Sequence, residues 1–284
     1  MENKHIKADL WLLLATFFWG VTFVAVKDAM AHATPLAFLG ARFALAGALL
    51  LPFCYKSLKT LSLEGWRDGA ILGTFLFAGF AFQTAGLVHT TPTRSAFITG
   101  LSVILVPPLS LLMLKKTVGP WLYLGALLAA AGLYLLSRPE SGGFNRGDIL
   151  TACCAVCFAL EIVLVQIYTR RHGTLPMLMV QIFTTVGLSG SLIWLFEKPV
   201  MNLNPALWLD LLVTSLLATV GSLLIQFHFQ KQTSAARAAV IYTLEPLFAA
   251  LFSYMIFGEK LNAAAWLGAG MIMAGMLASE LGRE

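Results

Sequence analysis

TSAARAAVIYTLEPLFAALFSYMIFG, residues 233–258, is an apolar run long enough to cross a bilayer, and near its middle stand a glutamate and a proline, Glu245 and Pro246. Both are costly at that depth. A charged carboxylate at the bilayer centre costs about 3 kcal/mol on insertion scales and more in simulations. A proline withdraws a backbone hydrogen bond that lipid cannot replace. The same run occurs earlier in the chain. Thr90 falls on Thr233, a shift of 143 positions (233 − 90), and without a gap Arg94 then falls on Arg237, Ile98 on Ile241 and Leu101 on Leu244. Further on, Ser110 matches Ser253, Gly125 matches Gly268 and Gly132 matches Gly275. So much agreement without an insertion marks an internal duplication.

Composition supports the membrane reading. Of 284 residues 58% are hydrophobic and 12% charged, against about 25% charged in soluble domains, and the mean hydropathy is +0.81. The net charge of +5 reads as loop lysines and arginines facing anionic lipid. There is no clustered basic face with interleaved aromatics, so no nucleic-acid partner is expected. The lysines ahead of the first apolar run, and Ala29-Met-Ala31 after it, imitate a secretory leader. The run from Leu10 to Val26 is long for one, and it has a counterpart beginning at Asp148, with Asp9 matching Asp148 and Trp19 opposite Phe158. It is therefore expected to stay as the first span.

Apolar runs bounded by charge, Pro and Gly place ten spans near 9–29, 35–53, 66–88, 93–114, 118–137, 148–169, 175–196, 207–230, 235–257 and 262–280. The expected fold is an all-α integral membrane protein whose ten transmembrane helices form two inverted five-helix repeats, residues 1–139 and 140–284. The linker SRPESGGFNRG, 137–147, divides them. Twelve of the nineteen Lys and Arg fall on the side of the N-terminus, among them Lys56, Lys59, Lys115, Lys116, Arg170 and Arg171. Six fall on the other side, including Arg138, Arg146 and Lys260. This bias predicts cytoplasmic termini. Five spans per half invert the second half, an arrangement that puts a binding site near the midplane and lets one half rock against the other.

The candidate site is read from polar residues at that depth. Glu245 is a candidate for binding substrate or a proton, with Pro246 as a hinge; alternatively the carboxyl only holds a kink. Its first-half equivalent is Ser102-Val103, so the most polar point of the repeat has diverged. Glu161 lies at the depth of the midplane in the sixth span, where desolvation pushes an unpaired carboxyl toward its protonated form. It is read as a proton carrier or as a buried partner of Arg42 or a hydroxyl. Arg42, a third of the way into the second span, is a candidate for an anionic group or a structural tether. Gln83 and Gln226 are repeat mates that serve as lining or as interhelical glue. Trp19, Tyr242, Phe23 and Phe248 are candidate cavity walls. His228 reads as interfacial and Cys153, Cys154 and Cys157 as packing residues. Gly125, Gly132, Gly268 and Gly275 form a stripe for close helix contact, within the chain or between two copies. No metal or cofactor is expected. Signatures of zincins, serine hydrolases, P-loops and dinucleotide folds are missing, so neither catalysis nor ATP is expected to drive the chemistry.

The stretches FFWGVTFVAVK (17–27), ARFALAGALLLP (41–52), TTPTRSAFITGL (90–101) and TSAARAAVIYTLEPLFAAL (233–251), in this order and twice over, resemble the drug/metabolite transporter superfamily, in particular its EamA-type ten-helix proteins. The resemblance spans nearly the whole chain. It implies a ten-helix inverted repeat in the inner membrane with a central cavity, and export of small metabolites such as amino acids. The chain departs from its own repeat in reading Lys115-Lys116 where the second half reads Gly258-Glu259. A gradient-driven exporter of a small polar or amphipathic molecule is expected, possible partners being that molecule and membrane lipid. The alternatives are a lipid flippase and a non-transporting scaffold or sensor; monomer and homodimer stay open.

Overall fold

The computed structural model describes residues 2–115, 119–136, 145–258 and 262–281. Lys116, Arg138, Glu259, Lys260 and most of the 137–147 linker, all used above, lie outside them. Every named element is a helix: α1 Glu2–Ala29, α2 Pro35–Lys59, α3 Leu63–His89, α4 Pro92–Gly100, α5 Ser102–Leu114, α6 Pro120–Leu136, α7 Arg146–His172, α8 Thr174–Phe196, α9 Pro205–Val213, α10 Ser222–Phe229, α11 Ala235–Tyr242, α12 Glu245–Phe257 and α13 Ala263–Leu281. A π-helical segment, Thr214–Gly221, joins α9 to α10. Among the described residues eight helical stretches are long and apolar enough to span a membrane; two shorter apolar helices, Pro120–Leu135 and Trp266–Gly275, bring the number to ten. Spans four (α4 with α5), eight (α9 to α10) and nine (α11 with α12) are interrupted.

The ends of these helices are written in the sequence, often twice. Pro35, Pro92 and Pro205 stand in the first turn of their helices, where a missing N–H costs nothing. Thr91 accepts from Arg94 N at 3.3 Å, and its repeat mate Ser234 accepts from Arg237 N at 3.1 Å. Asn145 and Asp148 form a reciprocal capping box at the start of α7. Gly258 closes α12 in the left-handed conformation, φ 70°, which glycine adopts freely. Its mate Lys115 closes α5 in the same conformation, φ 52°. The first half thus keeps the turn of the repeat while carrying a side chain that opposes it.

The two halves are interleaved. α6 and its mate α13 pack on each other through the glycine stripe: a Cβ on Gly132 would lie 2.5 Å from the Gly268 carbonyl oxygen, and one on Gly275 would lie 2.6 Å from that of Gly125. The stripe is therefore an intramolecular contact. α7 lies along α3, with Gly147 against the Gly86 carbonyl, and along α4 and α5. By the same symmetry α1 lies along span eight and span nine. Each first span is thus clasped by the third and fourth spans of the other repeat. The packing thus groups the helices into two exchanged bundles, one built on α1 and one on α7.

Candidate functional site

Span nine breaks at Thr243–Leu244, where the backbone tightens: Thr243 N bonds Val240 O at 3.2 Å and Leu244 N bonds Ile241 O at 3.1 Å. Pro246 follows in the first turn of α12. Span four breaks at the equivalent residue, Leu101, with its N–H on Ile98 O at 3.2 Å. Valine stands there at the place of Pro246, so the break belongs to the repeat and the proline fits it rather than causing it. Glu245 opens α12 at mid-depth, and α1 presses on it from behind. A Cβ on Gly20 would meet Phe248 Cβ at 2.5 Å and the Glu245 carbonyl at 2.8 Å, so only glycine lets the α1 backbone come this close.

In front of the break is an open-mouthed cavity, about 720 Å³ when the space out to its mouth is included. The α1 bundle contributes Trp19, Thr22, Phe23, Gln226, Tyr242 and Glu245; the α7 bundle contributes Phe80, Gln83, Thr99, Ser102, Phe158 and Glu161. Arg42 reaches the cavity from α2. The structure thus gathers all seven binding candidates around one space. Phe248 is elsewhere, edge-on to Phe17 at 5.3 Å, and His228 is exposed against Phe229.

The three charged candidates differ in what they have left to offer. Glu161 is 2% exposed, and each carboxylate oxygen accepts an amide hydrogen bond, Oε1 from Gln181 and Oε2 from Gln226, both at 3.0 Å. Its partners are glutamines, not the Arg42 or hydroxyl expected from the sequence. Glu245 is half-buried, and among the described residues no side chain donates to it. Arg42 is 2% exposed; Nε donates to Thr219 Oγ1 at 2.8 Å, and Nη2 is buried without an acceptor among the described residues. No carboxylate oxygen among the described residues lies within 4.0 Å of it. Its guanidinium carbon sits 4.5 Å from the Phe80 ring centroid and 5.4 Å from that of Phe43. A desolvated cation over an aromatic face gains about 2 kcal/mol, which stabilises the group without supplying a counter-ion.

The π-helical segment holds this corner together. Some of its hydroxyls reach neighbours: Thr219 Oγ1 accepts from Arg42 Nε, Ser215 donates to the Arg42 carbonyl at 3.0 Å, and Ser222, just beyond it, donates to the Ala15 carbonyl at 3.2 Å. The Ala218 carbonyl accepts from Trp19 Nε1 at 3.0 Å, which fixes the indole edge-on to Tyr242, 5.3 Å between centroids. The Tyr242 hydroxyl donates to Gln230 at 3.1 Å. The repeat mates Gln83 and Gln226 do different work, since Gln83 donates to Thr99 at 3.2 Å while Gln226 holds Glu161. Gln181, Thr219, Gln230 and Lys27 were not singled out in the sequence. The crowding of Thr214, Ser215, Thr219, Gly221 and Ser222 within one apolar span was the readable sign of irregular helix.

Of the cysteines, Cys154 is buried beside Thr99 and Cys153 is exposed, all four unpaired. Glu64, Asp68 and His172 converge at the end of the bundle where α3 begins, but the Asp68 carboxylate is already engaged by Arg67 and by His172 Nε2, each at 3.0 Å.

Among known proteins, the chain is 36% identical over 276 residues to a protein of Archaeoglobus fulgidus described as an uncharacterized transporter, covering 96% of this chain and 86% of that one. It is 24% identical to the uncharacterized transporter YyaM of Bacillus subtilis, over 96% and 93% of the two chains. It is also 25% identical to a chloroplastic WAT1-related protein of Arabidopsis thaliana, over 93% and 67%. A solved crystal structure superposes with a TM-score of 0.81 at 19% identity, covering 97% of this chain and 96% of the other, so the two share a fold. The model of the EamA-like transporter family matches twice, at residues 6–138 and 145–279, once on each five-helix repeat. With ten helices in two inverted repeats, each matched by the family model, the chain belongs to the EamA-like transporter family.

Proposed function

We propose that the protein exports a small polar metabolite, an amino acid or related zwitterion, across the inner membrane by alternating access, with both termini in the cytoplasm. The observation that carries this reading is a pair of groups in one cavity that lack a partner among the described residues: a buried guanidinium nitrogen of Arg42 without an acceptor, and the Glu245 carboxylate without a donor. A ligand bearing a carboxylate and an ammonium supplies one partner to each. A carboxylate on Arg42 gains a charge-assisted hydrogen bond in a low-dielectric site. The amine, or a proton in its absence, is held by Glu245, which couples ligand binding to proton exchange. The apolar wall of Trp19, Phe80 and Tyr242 accepts the remainder of the molecule. Export is the direction that the family resemblance implies. Glu161, with each oxygen already held by an amide, shapes this site without binding the ligand directly.

The test is reconstitution in liposomes with a metabolite panel, with and without a pH gradient. Amino acids are expected to accumulate in a gradient-dependent manner, and Glu245→Gln and Arg42→Met to abolish the accumulation. Wild-type rates in both variants under every gradient would refute the reading.

A further inference from the structure

Two kinds of contact recur at opposite ends of the molecule, because the duplication writes each of them twice. The first is an ion pair. Arg237, at the start of α11, holds Asp9 of α1 through Nε at 3.2 Å and Nη2 at 2.5 Å. Its mate Arg94, at the start of α4, holds Asp148 of α7 at 2.6 Å. The inverted topology puts Arg237–Asp9 at the end where α1 begins and Arg94–Asp148 at the end where α1 finishes. Both pairs are largely buried; the Asp148 side chain is fully so and also accepts from the Asn145 N–H at 2.8 Å. Each lies inside one exchanged bundle.

The second contact crosses between the bundles. Lys27 Nζ, on α1, donates to the carbonyls of Leu87 at 2.6 Å and Thr90 at 3.0 Å, at the end of α3. Gln166 takes the place of Lys27 in the second repeat (166 − 27 = 139, the shift that relates Asp9 to Asp148), and Thr233 is the mate of Thr90. Gln166 Nε2, on α7, donates to the Thr233 carbonyl at 2.9 Å. Beside it Gln230 Nε2 donates to the Ile162 carbonyl at 2.6 Å. These bonds sit at the two ends of the cavity: its lining stops at Val26 and Leu87 on one side and includes Ile162 and Tyr242 on the other.

We infer that Lys27 at one end, and Gln166 with Gln230 at the other, are the two gates of the transport path, while Arg94–Asp148 and Arg237–Asp9 are permanent ties that move with their bundles. The chemistry separates the roles. Opening a gate releases side-chain donors from backbone carbonyls at a cavity mouth, where water replaces them. Opening a tie would strand a buried carboxylate and guanidinium, a far larger cost. Rocking the α1 bundle against the α7 bundle breaks one gate while keeping the other, and no tie need break. The gates are also unequal, a cation on two carbonyls at one end and neutral amides at the other. This inference rests on alternating access as proposed above.

The test needs no knowledge of the substrate. In protein lacking its four native cysteines, Ser102→Cys places a reporter thiol in the cavity, and a small membrane-impermeant thiosulfonate labels it from either face of proteoliposomes. Paired cysteines joined by a short bifunctional thiol reagent then pin one contact at a time, with the link verified by mass. Pinning either tie, positions 9 with 237 or 94 with 148, is expected to leave labelling from both faces unchanged. Pinning 27 with 90 is expected to abolish labelling from the face where α1 ends, and pinning 166 with 233 from the opposite face, each sparing the other. Without any link, Lys27→Met is expected to speed labelling from its own face at least about tenfold, since it removes both charged hydrogen bonds of that gate. A tie link that blocks either face, or a gate link that blocks neither, would overturn the assignment. A reporter that is labelled from one face only before any link is made would overturn alternating access itself, and this inference with it.

Discussion

Replacing Glu161 by glutamine should leave the stability of the protein nearly unchanged, whereas replacing it by leucine should lower it. Each Glu161 oxygen accepts one amide N–H at 3.0 Å, and the other end of each donor, Gln181 Oε1 and Gln226 Oε1, is buried without a partner among the described residues. In Glu161→Gln the new carboxamide oxygen still accepts from one glutamine. Its NH2 faces the second, which need only rotate its own amide by half a turn to present the orphan oxygen. Two charge-assisted bonds become two neutral ones, a loss of about 1 kcal/mol each. The flipped glutamine pairs its oxygen but leaves its NH2 where that oxygen stood, so the number of orphan groups is unchanged; the buried charge disappears, which returns a similar amount. The net change should lie within about 1 kcal/mol of zero. Glu161→Leu instead strands two buried NH2 groups at about 1–3 kcal/mol each, and should lower stability by about 2–5 kcal/mol. Thermal unfolding of the two variants in the same detergent measures the difference. If Glu161→Gln unfolds as readily as Glu161→Leu, the carboxylate is needed as an ion and the account of its amide cage fails.

Other outcomes follow from single contacts. Gly132→Ala and Gly275→Ala each push a methyl group into backbone across the α6–α13 contact and should cost about 1–3 kcal/mol; the double variant should cost less than the sum, because helices already parted need not part again. Gly270→Ala, with open space around it, should instead be neutral or stabilising by up to about 1 kcal/mol by helix propensity; equal melting losses for all three would sink the packing argument. Lys115→Gly relieves a left-handed backbone and should raise stability by about 1 kcal/mol, read as a higher midpoint in the same thermal assay. Arg42→Lys keeps the charge but cannot donate to Thr219 and lie over Phe80 at once. Ligand affinity should fall at least tenfold, about 1.4 kcal/mol, in a binding titration with any amino acid that the panel identifies; unchanged affinity would remove Arg42 from the site.

The architecture was legible because lipid leaves so few choices. Backbone that cannot bond to solvent must form whole helices, so hydropathy placed all ten, eight of them to within about three residues, while α1 begins earlier and α2 runs further than expected; five spans in each copy of the repeat implied their inversion. Broken span nine was visible as Glu245-Pro246, but broken span four was not, for Leu101 and Ser102 interrupt nothing in the apolar pattern. Depth in the membrane also pointed to Glu245, Glu161, Arg42 and the two glutamines, since each is expensive there without a reason. What depth cannot reveal is which of them are already satisfied. Glu161 and Glu245 look alike in the sequence; one has two amide donors from α8 and span eight and the other has none among the described residues, a difference made by helices that are distant in the chain. The exchange of spans between repeats was hidden for the same reason: a duplication specifies that two units are alike, not which surfaces they offer each other.

The glycine contact between α6 and α13 has the reciprocity of a two-fold interface. Gly132 approaches Gly268 just as Gly275 approaches Gly125, so each helix presents to its mate the patch that it receives, as identical subunits do across a two-fold axis. The fused chain therefore contains within itself the interface of an antiparallel homodimer. A five-helix chain inserted in both orientations would already possess this self-complementary face. Joining the two copies in one polypeptide relaxes the demand that they stay identical, and that freedom is what allows Glu245-Pro246 on one side of the cavity to face Ser102-Val103 on the other.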